Sequence, residues 1–187
     1  MDVEIINHLL SYLVILALVL ILGVLVYLIL FRAAKNSWLR RLFEDWGARL
    51  AFFIALLATL GSLFYSNIAG FAPCELCWYQ RIFMYPQVIL LGLAWFKKEK
   101  RIIDYSLILA GLGFLIALYH NYLTWGGATT TVCATASFVG VSCLRRYVFE
   151  FGFITIPFMS LSAFALIILI LAAGKRALAA KSYEAKN

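Results

Sequence analysis

Long stretches of this chain carry no charge, and they recur at regular intervals. Residues 9–31 (LLSYLVILALVLILGVLVYLILF) and 50–73 (LAFFIALLATLGSLFYSNIAGFAP) contain no Asp, Glu, Lys or Arg. About 20 apolar residues in helical conformation cross the hydrocarbon core of a bilayer, and a charge at a helix centre is costly there. Both stretches are therefore predicted to be membrane-spanning helices. Between Arg81 and Lys97 lie only 15 residues, which at about 1.5 Å each fall short of a core about 30 Å thick. The third helix must start earlier, near Cys74, and this places Arg81 inside it. A fourth helix is predicted over Ile102 to Tyr122 and a fifth over Phe151 to Ala173.

Composition agrees with that pattern. Of 187 residues, 65% are hydrophobic and 13% charged, against roughly half and a quarter in a soluble domain. With a mean hydropathy of +0.95, the chain is not a water-soluble globule. The predicted fold class is an all-α membrane protein, a four-helix transmembrane bundle plus one extra N-terminal transmembrane helix. The domains follow as an N-terminal anchor over 1–31, a juxtamembrane segment over 32–49, a bundle over 50–173 with an outer loop over 124–150, and a tail over 174–187.

The net charge of +7 is unevenly placed. Residues 32–49, 97–101 and the tail after Ala173 hold thirteen Lys and Arg, while Arg81, Arg145 and Arg146 are the remaining three. Short basic connections stay in the cytoplasm, so the N-terminus is expected outside, the C-terminus inside, and the lipid bilayer itself is the partner of the basic segments. Nucleic acid is not expected as a partner. The first helix has Asp2 and Glu4 rather than basic residues before it, unlike a cleavable signal peptide. Trp38, Leu39, Leu42, Phe43 and Trp46 recur at helical spacing, which predicts an amphipathic helix on the cytoplasmic surface over 32–49. A plain basic linker is the alternative.

All four cysteines fall on the outer side: Cys74 and Cys77 at the start of the third helix, Cys133 and Cys143 in the loop. Extracytoplasmic space permits disulfides. A C-x-x-C at a helix start suits reversible exchange, because the helix N-terminus favours the thiolate; Glu75 between the cysteines opposes this. On a helix Cys74, Cys77 and Arg81 occupy one face, and an arginine at membrane depth points to function. Three plainer readings compete: packed membrane cysteines, a static loop staple contributing about 3 kcal/mol, and a zinc site. The nine-residue gap between Cys133 and Cys143 is wide for zinc, and neither connection holds a histidine. No metal is expected. His120, alone at the outer end of the fourth helix, suits an interfacial residue as well as a ligand.

The segments CELCWYQRIFMYP (74–86), LYHNYL (118–123) and FEFGFITIPFMSL (149–161) resemble the bacterial disulfide-bond formation protein B family, most of all its short-loop members often called BdbC. The resemblance covers roughly residues 50–173. It implies a multi-pass protein of the bacterial cytoplasmic (inner) membrane that reoxidises an extracytoplasmic thioredoxin-fold dithiol oxidase, DsbA-like, and passes the electrons to the membrane quinone pool, ubiquinone or menaquinone. It further implies that Cys77 faces the quinone, that Cys74 exchanges with the loop pair, and that Arg81 and His120 lie at the quinone. Cys133 would meet the partner protein, and Cys143 would bridge to Cys74. One rival is a quinone reductase similar to vitamin K epoxide reductase, in which the loop pair precedes the C-x-x-C, whereas here it follows. Another is a non-enzymatic scaffold with structural disulfides.

Overall fold

The computed structural model describes residues 3–30, 37–97, 99, 101–127 and 142–184. Among them are five α-helices and no β-strand: α1 (Val3–Leu30), α2 (Ser37–Leu63), α3 (Glu75–Lys97), α4 (Arg101–Thr124) and α5 (Ile156–Glu184). Spans within α1, α2, α4 and α5 are long and apolar enough to cross a membrane. The 23-residue α3 is long enough too, but carries Glu75, Gln80, Arg81 and Gln87. Large apolar side chains such as Ile29, Ile89 and Phe96 are more than 60% exposed on the outside of the helices, as expected of a multi-pass protein whose solvent is lipid rather than water.

Helices α2, α3, α4 and α5 close a ring in which each packs against two neighbours, and α1 lies along α5. Small residues line the interior: Ala51, Ala55, Ala110 and Ala117 are fully buried. Such residues allow helix backbones to approach closely where no hydrophobic effect drives helices together. Gly113 of α4 is required for a more specific reason. A Cβ there would stand 2.3 Å from the ring of Phe164, a fully buried residue of α5. Polar ties also cross the core between α3 and α4: Gln87 Nε2 donates to the carbonyl of Ser106 at 2.9 Å and the Ser106 hydroxyl donates back to Gln87 Oε1.

Helix ends differ from the expectations in instructive ways. Residues 37–49 are not set apart from the bundle but run without a break into α2. They pack: Gly47 stands against Ile170, Gly174 approaches the backbone of Phe43, and the Phe43 ring stacks on Tyr27. At the other end of α2 a π-helical turn over Phe64–Ile68 closes with the Ala69 N–H bonding to Phe64. Gly70 then takes a positive φ of 70° and turns the chain toward Cys74. Helix α5 begins at Ile156, later than expected, because Phe151 and Gly152 have positive φ and a Glu150–Ile154 bridge closes a tight turn first. It then continues past Ala173 to Glu184, with Lys175 paired to Asp104 of α4 at 2.6 Å.

Candidate functional site

Cys74 is the residue before α3, and the Trp78 N–H bonds to its carbonyl at 3.1 Å, closing the first helical turn. Cys74 is 4% exposed, and its sulfur lies 3.2 Å from that of Cys77, one turn along. Both are free thiols. The Cys74 thiol is held well below its usual pKa range, chiefly by the hydrogen bond it shares with Cys77 and then by His120, against the opposing effect of burial. Hydrogen bonds to the charged sulfur favour the thiolate, which is the nucleophilic form.

His120, fully buried on α4, meets this pair. Its Nε2 lies 3.8 Å from Cys74 Sγ and 3.2 Å from the carbonyl oxygen of Cys143. A carbonyl can only accept, so Nε2 carries a proton. Its Nδ1 faces the amide nitrogen of Gln80, 3.0 Å away on α3. His120 is thus held between the C-x-x-C sulfur and the backbone of a loop cysteine. Cys143 is itself buried and disulfide-bonded. Cys133 lies outside the described residues.

Arg81 is half-buried, one turn below Cys77, and tied rather than free. Its Nε donates to Ser62 Oγ at 3.0 Å and its Nη2 to the Ser62 carbonyl at 3.2 Å, both on α2. The Tyr85 hydroxyl donates to the same Ser62 Oγ at 3.3 Å, and the Trp78 ring lies 5.0 Å beneath the guanidinium. Arg81, Cys77, Cys74 and His120 all line one cavity of about 150 Å³. Leu57, Ala58 and Met84 give it apolar walls. A cavity of about that size, so lined, takes a six-membered aromatic ring.

Sequence reasoning brought forward Cys74, Cys77, Arg81, His120 and Cys143, and the fold gathers these five at one end of the bundle. It missed Ser62, Gln80 and Tyr85. It looked for zinc ligands only in the two connections, whereas the sulfurs of Cys74 and Cys77 and a ring nitrogen of His120, on α4, lie within 4.8 Å of one another. Zinc bonded to two thiolates at about 2.3 Å would set its sulfurs about 3.8 Å apart. Here they stand closer, at 3.2 Å.

Comparison with known proteins shows the family. The family model described as "Disulfide bond formation protein DsbB" matches residues 44–174. The chain belongs to the DsbB family. The probable disulfide formation protein C 1 of Bacillus anthracis is 48% identical over 123 residues, which cover 66% of this chain and 83% of that protein. The disulfide bond formation protein C of Bacillus subtilis is 47% identical over 121 residues, covering 63% and 84%. A probable disulfide formation protein of Coxiella burnetii is 38% identical over 125 residues, covering 66% and 83%. No solved structure matches the chain significantly. Membership in the DsbB family assigns the chain to disulfide bond formation, which is oxidoreductase chemistry. Every site residue named above falls inside the matched span, and α1 falls outside it.

Proposed function

We propose that this protein is a thiol:quinone oxidoreductase of the bacterial cytoplasmic membrane, with its cysteines on the extracytoplasmic side. One observation carries the reading: a close pair of thiols, one of them favoured as thiolate, opens with Arg81 onto a single apolar cavity. The largely apolar walls and the guanidinium groups of Arg81, Arg145 and Arg146 that line them suit a flat, oily acceptor that gains negative charge as it is reduced. A membrane quinone, when bound, takes up two electrons and two protons and leaves as a quinol.

The residues of the chain do the rest by thiol-disulfide exchange, each step a thiolate attacking a sulfur. A reduced thioredoxin-fold partner, DsbA-like, attacks the disulfide that contains Cys143, and its second thiol resolves the mixed disulfide. The partner leaves oxidised and the loop cysteines, Cys143 and Cys133, are left as two thiols. A loop thiolate then attacks Cys74 in an oxidised Cys74–Cys77 pair, releasing Cys77 as thiolate, and the second loop thiol displaces Cys74. Two electrons and two protons have moved inward, and the loop disulfide is restored. His120 holds a proton at Nε2 and the backbone of Cys143 within reach of Cys74. Arg81, fixed by Ser62, keeps positive charge at the cavity, where it favours an anionic acceptor.

The test is turnover. Purified protein is mixed with a reduced thioredoxin-fold dithiol protein and a soluble quinone, and quinone absorbance is followed. The expected result is quinone reduction that Cys77→Ser abolishes. A scaffold with structural disulfides predicts no turnover by the wild type with any quinone, and that result would overturn the proposal.

A further inference from the structure

Helix α1 lies outside the span matched to the family, yet it is built into the site. Val3, Ile6 and Leu10 join the cluster formed by Phe64, Tyr65 and Val148 at the cysteine end of the bundle. Leu10 goes further and lines the cavity that holds Cys77 and Arg81. It stands directly over Gly61 of α2, where an added Cβ would lie 3.7 Å from both Leu10 methyl groups. The cavity wall at this point is thus a leucine from α1 facing a position with no side chain.

A helix surrounded by lipid gains nothing from the hydrophobic effect by lying against another, so a wall made this way needs other contacts to hold it. Two are present. His8 Nδ1 stands 3.4 Å from the Glu150 carboxylate, and the Tyr12 ring meets Phe151 edge-on at 5.6 Å. His8 and Tyr12 are four residues apart, hence on one face of α1, and together they grip the turn over Glu150–Ile154. Ser11 between them is fully buried. Leu10 is held in register by its neighbours on both sides.

We infer that α1 closes the acceptor cavity and that Leu10 sets the size of the quinone head group it accepts; the inference rests on the thiol:quinone reading. Leu10→Ala enlarges the cavity beside the ring, and Leu10→Phe narrows it. The full chain in lipid nanodiscs is titrated with a one-ring benzoquinone and a two-ring naphthoquinone bearing the same short tail, and binding is read calorimetrically. Leu10→Ala is expected to shift the ratio of the two dissociation constants toward the naphthoquinone by about tenfold, the order of effect of a few buried methyl contacts. Leu10→Phe is expected to shift it the other way. The lipid-facing Leu20→Ala serves as control and leaves the ratio unchanged. Opposite shifts from two substitutions at one position are not produced by loosened packing. A ratio that stays constant in both Leu10 variants while the wild type binds overturns the inference and leaves the thiol:quinone reading standing. A wild type that binds neither quinone overturns both.

Discussion

Replacing His120 by leucine tests the electrostatics of the thiol pair directly. The substitution removes the N–H whose nitrogen, Nε2, stands 3.8 Å from Cys74 Sγ, and it leaves the Gln80 amide without its partner. A hydrogen bond to a charged group contributes about 1.5–3 kcal/mol. At 3.8 Å the contact is long even for sulfur, so the lower figure of about 1.5 kcal/mol applies. Divided by 1.36 kcal/mol for each unit of pKa, this predicts that the Cys74 pKa rises by about one unit. The hydrogen bond shared with Cys77, the larger cause of the lowered pKa, survives, so the thiol remains more acidic than an ordinary one. The assay is the initial rate of alkylation of Cys74 by iodoacetamide in the reduced protein as a function of pH, with the Cys74 peptide identified by mass spectrometry. Only the thiolate reacts. In the wild type the rate is level at neutral pH and falls only as the pH drops through the lowered pKa. In His120→Leu the same fall begins about one pH unit higher. Coincident profiles would refute the assignment of His120 as a donor to Cys74.

Arg81→His is expected to raise the KM for a soluble quinone about tenfold, the scale of one charge-assisted hydrogen bond, while exchange between reduced partner and the loop disulfide keeps its rate; unchanged quinone kinetics would reduce Arg81 to a structural tie. Ser62→Ala should move the same KM in the same direction by a smaller factor, since Arg81 keeps its bond to the Ser62 carbonyl, and stopped-flow reduction of the quinone reads both variants. Gly113→Ala drives a methyl group into the Phe164 ring and should destabilise the bundle by about 1–3 kcal/mol. Its thermal midpoint in detergent should fall, and Phe164→Leu in the same chain should recover part of the loss.

The helices were legible because a charge in hydrocarbon is costly enough to empty long stretches of the sequence. Their ends were less so. Glu4 and His8 belong to α1, and residues 37–49 belong to α2, because a helix can run on beyond the hydrocarbon core, where an exposed charge such as Glu4 costs little. The start of α5 depends on a turn at Phe151 and Gly152 that no apolar pattern records.

The site divides along the same line. Cys74 and Cys77 announce themselves by spacing, and Arg81 by the cost of its charge. Ser62, Gln80 and Tyr85 carry no such signal, because a neutral polar side chain in a membrane helix costs little in any one place. Their importance comes from which helix faces which. Ser62 meets Arg81 across 19 positions of sequence, Gln80 meets His120 across 40, and His120 meets Cys74 across 46. His120 taken alone suits an interfacial residue. Set by the register of α4 between a sulfur and the Cys143 carbonyl, it becomes a proton donor. A buried charge needs acceptors within reach, and Arg81 therefore implies polar residues at its own depth on the neighbouring helix. Ser62 is an uncharged polar residue toward the same end of α2 as the π-turn that leads to Cys74. Antiparallel packing of α2 and α3 brings it level with Arg81. The charge that is easy to read thus points to the neutral residue that is not, once the helices have been paired.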